Sequence, residues 1–285
     1  MFTKKYALQL TLLGGLIVTL SSAVLADQVD SHLDNLSEKN FLEVSSGQTI
    51  PVSSLSSTIQ KVKQSVVGIG IFTPLQSRSA ELRGTGFVFG DGQYVATNYH
   101  VVAQTLDPTI VQYYTALAGS GKNPSVVKAE IVGISPQHDL AILKLDKKLT
   151  PISLASDDFI LEGTDIAFTG FPIGAVIGLY PATHKGMVAA ITPDVLPVCN
   201  STSLTHQKFG RLDNPMMIYQ LDAIAYPGNS GSPVYDQYTG SIVGIINKVF
   251  VTAGKESAIT TPSGISYAIP VKYLRALAKK HGIQV

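Results

Sequence analysis

Tyr226-Pro227-Gly228-Asn229-Ser230-Gly231-Ser232-Pro233-Val234 has the form of a strained turn that presents a serine hydroxyl. A serine hydroxyl is a weak nucleophile at its own pKa and needs a neighbouring base, usually a histidine that a carboxylate orients. The stretch therefore predicts partners elsewhere in the chain. Gly228 and Gly231 allow a backbone sharp enough to aim the amides of Gly228 and Ser230 at one point. Two such donors would make an oxyanion hole, in which each donor is worth about 2.7–4 kcal/mol of transition-state stabilisation. Taken alone, the nonapeptide is also compatible with an ordinary Gly/Ser/Pro loop between strands.

The chain has 285 residues, room for one large domain or two small ones with a substantial core. Only 14% of residues are charged and 45% are hydrophobic, which marks a folded globular protein rather than a disordered one. A formal net charge of +1 and the lack of a dense Lys/Arg cluster argue against nucleic acid as a partner. Cys199 is the only cysteine, so no intramolecular disulfide can form. Its surroundings, Leu196-Pro197-Val198-Cys199-Asn200, hold neither a glycine turn nor a base, and a passive thiol is the better reading. His184 and His206 lack the spacing of a metal site, and neither a metal nor a cofactor is expected.

Lys4 and Lys5 precede an apolar run from Tyr6 to Leu20, and small residues follow up to Ala26. This is the pattern of an export leader over 1–26, cleaved after Ala26, which would leave no stable membrane span. The alternative is an uncleaved anchor, against which Gln9, Gly14, Gly15 and the serines weigh. Residues 27–59 read as a polar arm or pro-segment with little core of its own. From about Gln60 the chain turns to short apolar stretches of strand type: Val62–Ile71, Gly84–Phe89, Tyr94–Val102 running straight into His100, Ile110–Leu117, Val126–Ile134 and Leu140–Leu145. The connection Gly90-Asp91-Gly92 marks a tight hairpin. The second half continues with Asp165–Pro172, Gly186–Ile191, Met216–Asp222, Ser241–Asn247 and Ile265–Pro270. Many short strands without interleaved helices predict an all-β sandwich or barrel. The tail differs: Val271, Leu274 and Leu277 recur at helical spacing after Pro270, with Lys279, Lys280 and Gly282 placed as a C-terminal cap.

His100 and Asp139 each sit beside a turn at a strand end, where a side chain can face a cleft. Alone, either is an ordinary residue; with Ser230 they stand in the order His, Asp, Ser, one of the orders in which the triad geometry arises. At this point the chain resembles the chymotrypsin-fold serine endopeptidases, and among them the exported bacterial proteases of the HtrA type. Thr97-Asn98-Tyr99-His100-Val101-Val102, Asp139-Leu140-Ala141-Ile142-Leu143-Lys144 and Asp222 to Gly231 look like that group's three catalytic blocks, and Gly264 to Pro270 looks like its closing strand. The resemblance implies two six-stranded antiparallel β-barrels, 60–150 and 151–285, with a C-terminal helix on the second. It implies His100 as general base, Asp139 as its orienter, Ser230 as nucleophile and the amides of Gly228 and Ser230 as oxyanion donors. It also implies polypeptide substrates, unfolded ones included, and a periplasmic or secreted location.

Three features depart from that pattern. Ser232 replaces a glycine common in the HtrA type and resembles the staphylococcal glutamyl endopeptidases; a PDZ domain is not expected after the helix; and no Ile-Val-Gly-Gly motif is present. For specificity, Ile224 stands six residues before Ser230, followed by Ala225, and Ile246 lies on the wall strand. An apolar floor of this kind predicts a preference for small or medium aliphatic side chains before the cut. An α/β-hydrolase is disfavoured because Ser232 breaks Gly-x-Ser-x-Gly and the one histidine after the serine, His281, lies in the terminal helix. The remaining alternative is a protease fold kept for binding, inactive or latent, with Thr192 to Pro215 as a gate.

Overall fold

The computed structural model describes residues 54–77, 79–172, 178–194, 215–249 and 264–285. The leader expected over 1–26, most of the polar arm, Cys199 and His206 lie outside these residues.

Six strands close the first barrel: β1 (Val66–Phe72), β2 (Glu81–Phe89), β3 (Tyr94–Thr97), β4 (Tyr113–Ala118), β5 (Ser125–Ser135) and β6 (Leu140–Leu145). Their order around the barrel is β1-β2-β3-β6-β5-β4, antiparallel throughout. The second barrel holds β7 (Asp165–Gly170), β8 (Ala182–Pro193), β9 (Met217–Asp222), β10 (Pro233–Asp236), β11 (Ile242–Val249) and β12 (Ile265–Pro270). Its closed order, β10-β11-β12-β9-β8-β7, is the same circular order as the first when read from β7. The two expected six-stranded antiparallel barrels are thus present, each with the same topology.

Strand β6 illustrates why the sequence alternates so little. Ala141, Leu143 and Leu145 point into the first barrel beside Val67, Ile69 and Val95. Leu140 and Ile142 point the other way, into a cluster shared by both barrels that includes Phe87, Phe171, Tyr235 and Ile245. A strand buried on both faces reads as a nearly continuous apolar run. A third cluster, with Phe168, Val188, Tyr219, Leu221 and Ile246, fills the second barrel.

Helix α1 (Ser54–Lys63) was not expected; it occupies part of the stretch read as a polar arm, and Val62 belongs to it rather than to a strand. Thr58 and Val62 are its buried residues, and both lie beside Gly240 in the β10–β11 turn. The short strand β10 directly after the serine turn was likewise unanticipated. Strand β3 ends at Thr97 instead of running into His100, which lies in a single 3-10 turn, Tyr99–Val101. Helix α2 (Val271–Lys280) matches expectation and packs against β5, β11 and β12, so it touches both barrels. It ends on Gly282 at φ +70°, with Ile283 N–H donating to Ala278 O at 2.9 Å and Gly282 N–H to Lys279 O at 3.1 Å. This is the Schellman arrangement, and Ile283 is buried beside it.

Leu274 is fully buried on α2 within the shared cluster. Leu274→Ala is expected to lower stability by about 2–5 kcal/mol, read as a fall in the urea midpoint with an unchanged m-value.

Candidate active site

Because β3 pairs with β6, with Thr97 opposite Ala141, the end of one strand lies beside the start of the other. His100 and Asp139 are thereby brought together. The His100 backbone N–H donates to Asp139 Oδ1 at 2.9 Å, and His100 Nδ1 lies 2.6 Å from Asp139 Oδ2. The Asp139 carbonyl accepts from Tyr99 N–H and from Asn98 Nδ2, each at 3.1 Å. Asp139 has φ +50°, alone in that region among the described non-glycine residues. Such a conformation costs on the order of 1–3 kcal/mol and persists only where surrounding bonds hold it. The imidazole is about half exposed and the carboxylate less so, which leaves the ring facing solvent and the carboxylate behind it.

Ser230 comes from the second barrel, on the connection between β9 and β10. Asn229 N–H donates to Tyr226 O at 3.0 Å, with Pro227 second and Gly228, at φ +98°, third in the turn. These are the positions that a type II turn assigns to proline and glycine. A second turn follows, Ser232 N–H to Asn229 O at 2.9 Å, with Gly231 at φ +86°. A Cβ on Gly231 would overlap Thr85 O, so that position accepts only glycine. Neither the Gly228 amide nor the Ser230 amide donates to a protein acceptor among the described residues.

Thr85 on β2 fixes this turn to the first barrel. Its N–H donates to Ser230 O at 2.9 Å and its hydroxyl to Gly228 O at 2.8 Å. The same hydroxyl accepts from Phe171 N–H at 3.0 Å, and its carbonyl accepts from Thr97 Oγ1 at 2.7 Å. Ser230 Oγ donates to Asn247 O at 3.5 Å, a long bond, rather than to the His100 ring. The structure therefore pairs His100 with Asp139 and docks the serine turn beside them, with the hydroxyl itself turned to β11.

Of the expected pocket residues, Ile224 is partly exposed, whereas Ala225 and Ile246 are buried in the second barrel's cluster. Sequence reasoning missed His184, which the structure places next to the serine turn. Its ring stacks on Phe168 with centroids 4.9 Å apart and lies 5.8 Å from the Tyr226 ring. Its Nε2 is buried without a hydrogen-bond partner, and burial holds the imidazole below its ordinary value of 6.5. Thr85 was also missed; its signal was the pair of flanking glycines, Gly84 and Gly86, read only as part of a hairpin.

Two closed barrels with a serine turn at their junction define a chymotrypsin-like fold. The family profile described as a trypsin-like peptidase domain matches residues 84–245, more than half of the chain, and the chain belongs to that family. Among its relatives, a protein named "Probable periplasmic serine endoprotease DegP-like" from Pseudomonas putida (strain GB-1) is 30% identical over 196 residues, 69% of this chain and 34% of that protein. "Protease Do-like 5, chloroplastic" from Arabidopsis thaliana is 28% identical over 206 residues, 70% of this chain and 57% of that one. The alignment thus spans about a third of the bacterial relative's length. In fold, the chain is similar to the structure titled "HtrA-type protease AlgW with decapeptide", with a TM-score of 0.60 and 22% identity over 80% of this chain and 67% of that one.

Thr85→Val keeps the side-chain shape but leaves Gly228 O and Phe171 N–H without their hydroxyl partner. The loss is expected at about 1–3 kcal/mol for each buried group left unpaired, measured by urea denaturation. For His184, the unfolded chain gains a proton as pH falls through about 6.5 while the folded ring stays neutral. Stability should therefore decline as pH falls below that value, until the folded ring itself protonates. His184→Phe keeps the stack and removes the titration, so denaturation midpoints between about pH 7 and 5 should slope less in the variant than in the wild type.

Proposed function

We propose that the chain is an exported serine endopeptidase that cleaves polypeptides, unfolded ones included, through Ser230, His100 and Asp139. The observation that carries this reading is the His100–Asp139 pair, 2.6 Å apart, beside a serine turn with two undonated amides. Ser230 Oγ rotates from Asn247 O toward His100 Nε2 and attacks the scissile carbonyl carbon, and Nε2 takes the hydroxyl proton. Asp139 Oδ2 holds Nδ1–H and stabilises the imidazolium. The tetrahedral oxyanion accepts from the Gly228 and Ser230 amides, in a site where each donor is worth about 2.7–4 kcal/mol. Collapse of that intermediate passes the proton to the leaving amine and leaves an acyl-serine. Water, deprotonated by His100, then hydrolyses the ester.

In this reading 60–150 and 151–285 are the two barrel domains, preceded by a leader over 1–26 and an arm over 27–59. The periplasmic name of the bacterial relatives supports export, as does the leader pattern. The apolar set Ile224, Ala225 and Ile246, the first exposed and the other two buried, is read as favouring small or medium aliphatic side chains before the cut. A second reading, a latent protease-fold binding protein, draws on the Ser230 hydroxyl's bond to Asn247 O. In that state the nucleophile is not engaged by its base.

Reaction with a fluorophosphonate probe, followed by casein digestion and mapping of the cut bonds, separates the two. Labelling should be absent in Ser230→Ala and slowed at least about 1,000-fold in His100→Ala, with cuts after aliphatic residues. A wild type that stays unlabelled even with unfolded protein present would leave the latent reading standing.

A further inference from the structure

Asp139 occupies its left-handed conformation at the end of a tight turn, and that turn has a brace from the far end of the chain. Within the turn, His138 N–H donates to Ser135 O at 3.1 Å and Asp139 N–H to Pro136 O at 3.3 Å. The His138 ring meets Ser135 Oγ through Nδ1 at 2.8 Å. Its face stacks on Tyr273 of α2, with centroids 4.8 Å apart and planes 26° from parallel. Tyr273 is itself held at both ends. Its hydroxyl accepts from Met217 N–H, the first residue of β9, at 3.1 Å. Beside it, Lys272 Nζ sits 3.7 Å from the centroid of Phe159 and 5.2 Å from that of Tyr273. One turn on, Arg275 bonds Asp157 Oδ1 at 2.6 Å and Ala155 O at 2.7 Å, which fixes the rotation of α2 about its axis.

A single side chain therefore touches the residue before Asp139 and the first residue of the strand that leads to the Ser230 turn. The peptide between His138 and Asp139 sets where the Asp139 carboxylate points. The flat stack and the Ser135 bond both hold the His138 side chain in the orientation that this peptide requires. We propose that His138 and Tyr273 are positioning residues: their stack holds Asp139 in its positive-φ conformation, and so keeps its two oxygens on the His100 N–H and ring. This rests on the reading of Asp139 as the residue that orients His100. The aromatic face is the requirement, and the Tyr273 hydroxyl serves β9 instead.

The test compares Tyr273→Leu and His138→Ala, which remove the stack, with Tyr273→Phe and His138→Phe, which keep a flat ring. Two readouts are made on the whole chain. One is the low-field proton resonance of His100 Nδ1–H in its short bond to Asp139, which is observable whether or not the protein cleaves anything. The other is the rate of fluorophosphonate labelling together with kcat and KM on a mapped peptide. Tyr273→Leu and His138→Ala should lose the low-field resonance and drop kcat about 10- to 100-fold at unchanged KM, as expected for a misplacement on the order of 1 Å. The two phenylalanine variants should retain both. If the stack-breaking variants keep the resonance and label at the wild-type rate, the proposal fails. If they merely melt at a lower temperature, with resonance and kcat intact below it, the contact is structural and the proposal also fails. A wild type that shows the resonance but does not label overturns the proposed activity and not the brace, which the resonance alone then decides.

Discussion

Thr85 is the point at which two independently closed barrels become one molecule. Its amide and hydroxyl both bond the serine turn, the hydroxyl also bonds the residue after β7, its carbonyl bonds β3, and the residue is fully buried. Inside a protein a hydrogen bond is stronger than in water and an unpaired polar group is costly, so such a network has few alternative arrangements. The position of Ser230 relative to the first barrel is consequently set by backbone bonding, not by its own side chain.

The remaining geometry follows from strand order. Both barrels run through the same circular sequence of strands, and a barrel has no free edges, so its connections are the only places where irregular backbone can face outward. His100 and Asp139 lie on such connections in the first barrel and Ser230 on one in the second. The apolar cluster between the barrels, with Phe87, Phe171, Tyr235 and Leu274, supplies the burial that presses those connections together. Rigid strands end at the site, and short turns carry its candidate residues.

Much of this was legible in the sequence because it is written locally. Gly90-Asp91-Gly92, Pro227-Gly228 and Gly282 name their turns through backbone conformations that few other residues adopt. Apolar runs bounded by such turns located eleven of the twelve strands. The exception, β10, is four residues long and follows the serine turn without a break. Helix α1 escaped because Leu55, Thr58, Ile59 and Val62 do form a helical face, but serines and a threonine dilute it to the composition of a loop. The 3-10 turn at Tyr99–Val101 escaped because Val101 and the Val102 that follows it look like a continued strand. Contacts between distant segments have no local signature. Thr85 with Gly228, His184 with Tyr226, and His138 with Tyr273 are separated by 143, 42 and 135 positions, and nothing in either partner's neighbourhood announces the other. The orientation of the Ser230 hydroxyl toward Asn247 O is of the same kind.

Helix α2 follows both barrels in chain order, and this gives its contact with the Asp139 turn a temporal meaning. A ribosome exposes His100, Asp139 and Ser230 before it exposes Tyr273. Until the final helix docks, the aspartate turn lacks its aromatic support, and β9 lacks the hydroxyl that receives its first amide. On the proposed role of the stack, the site reaches its geometry only after α2 has been made and docked. A chain that stops between Ser230 and Val271 carries His100, Asp139 and Ser230 without the ring that supports the Asp139 turn.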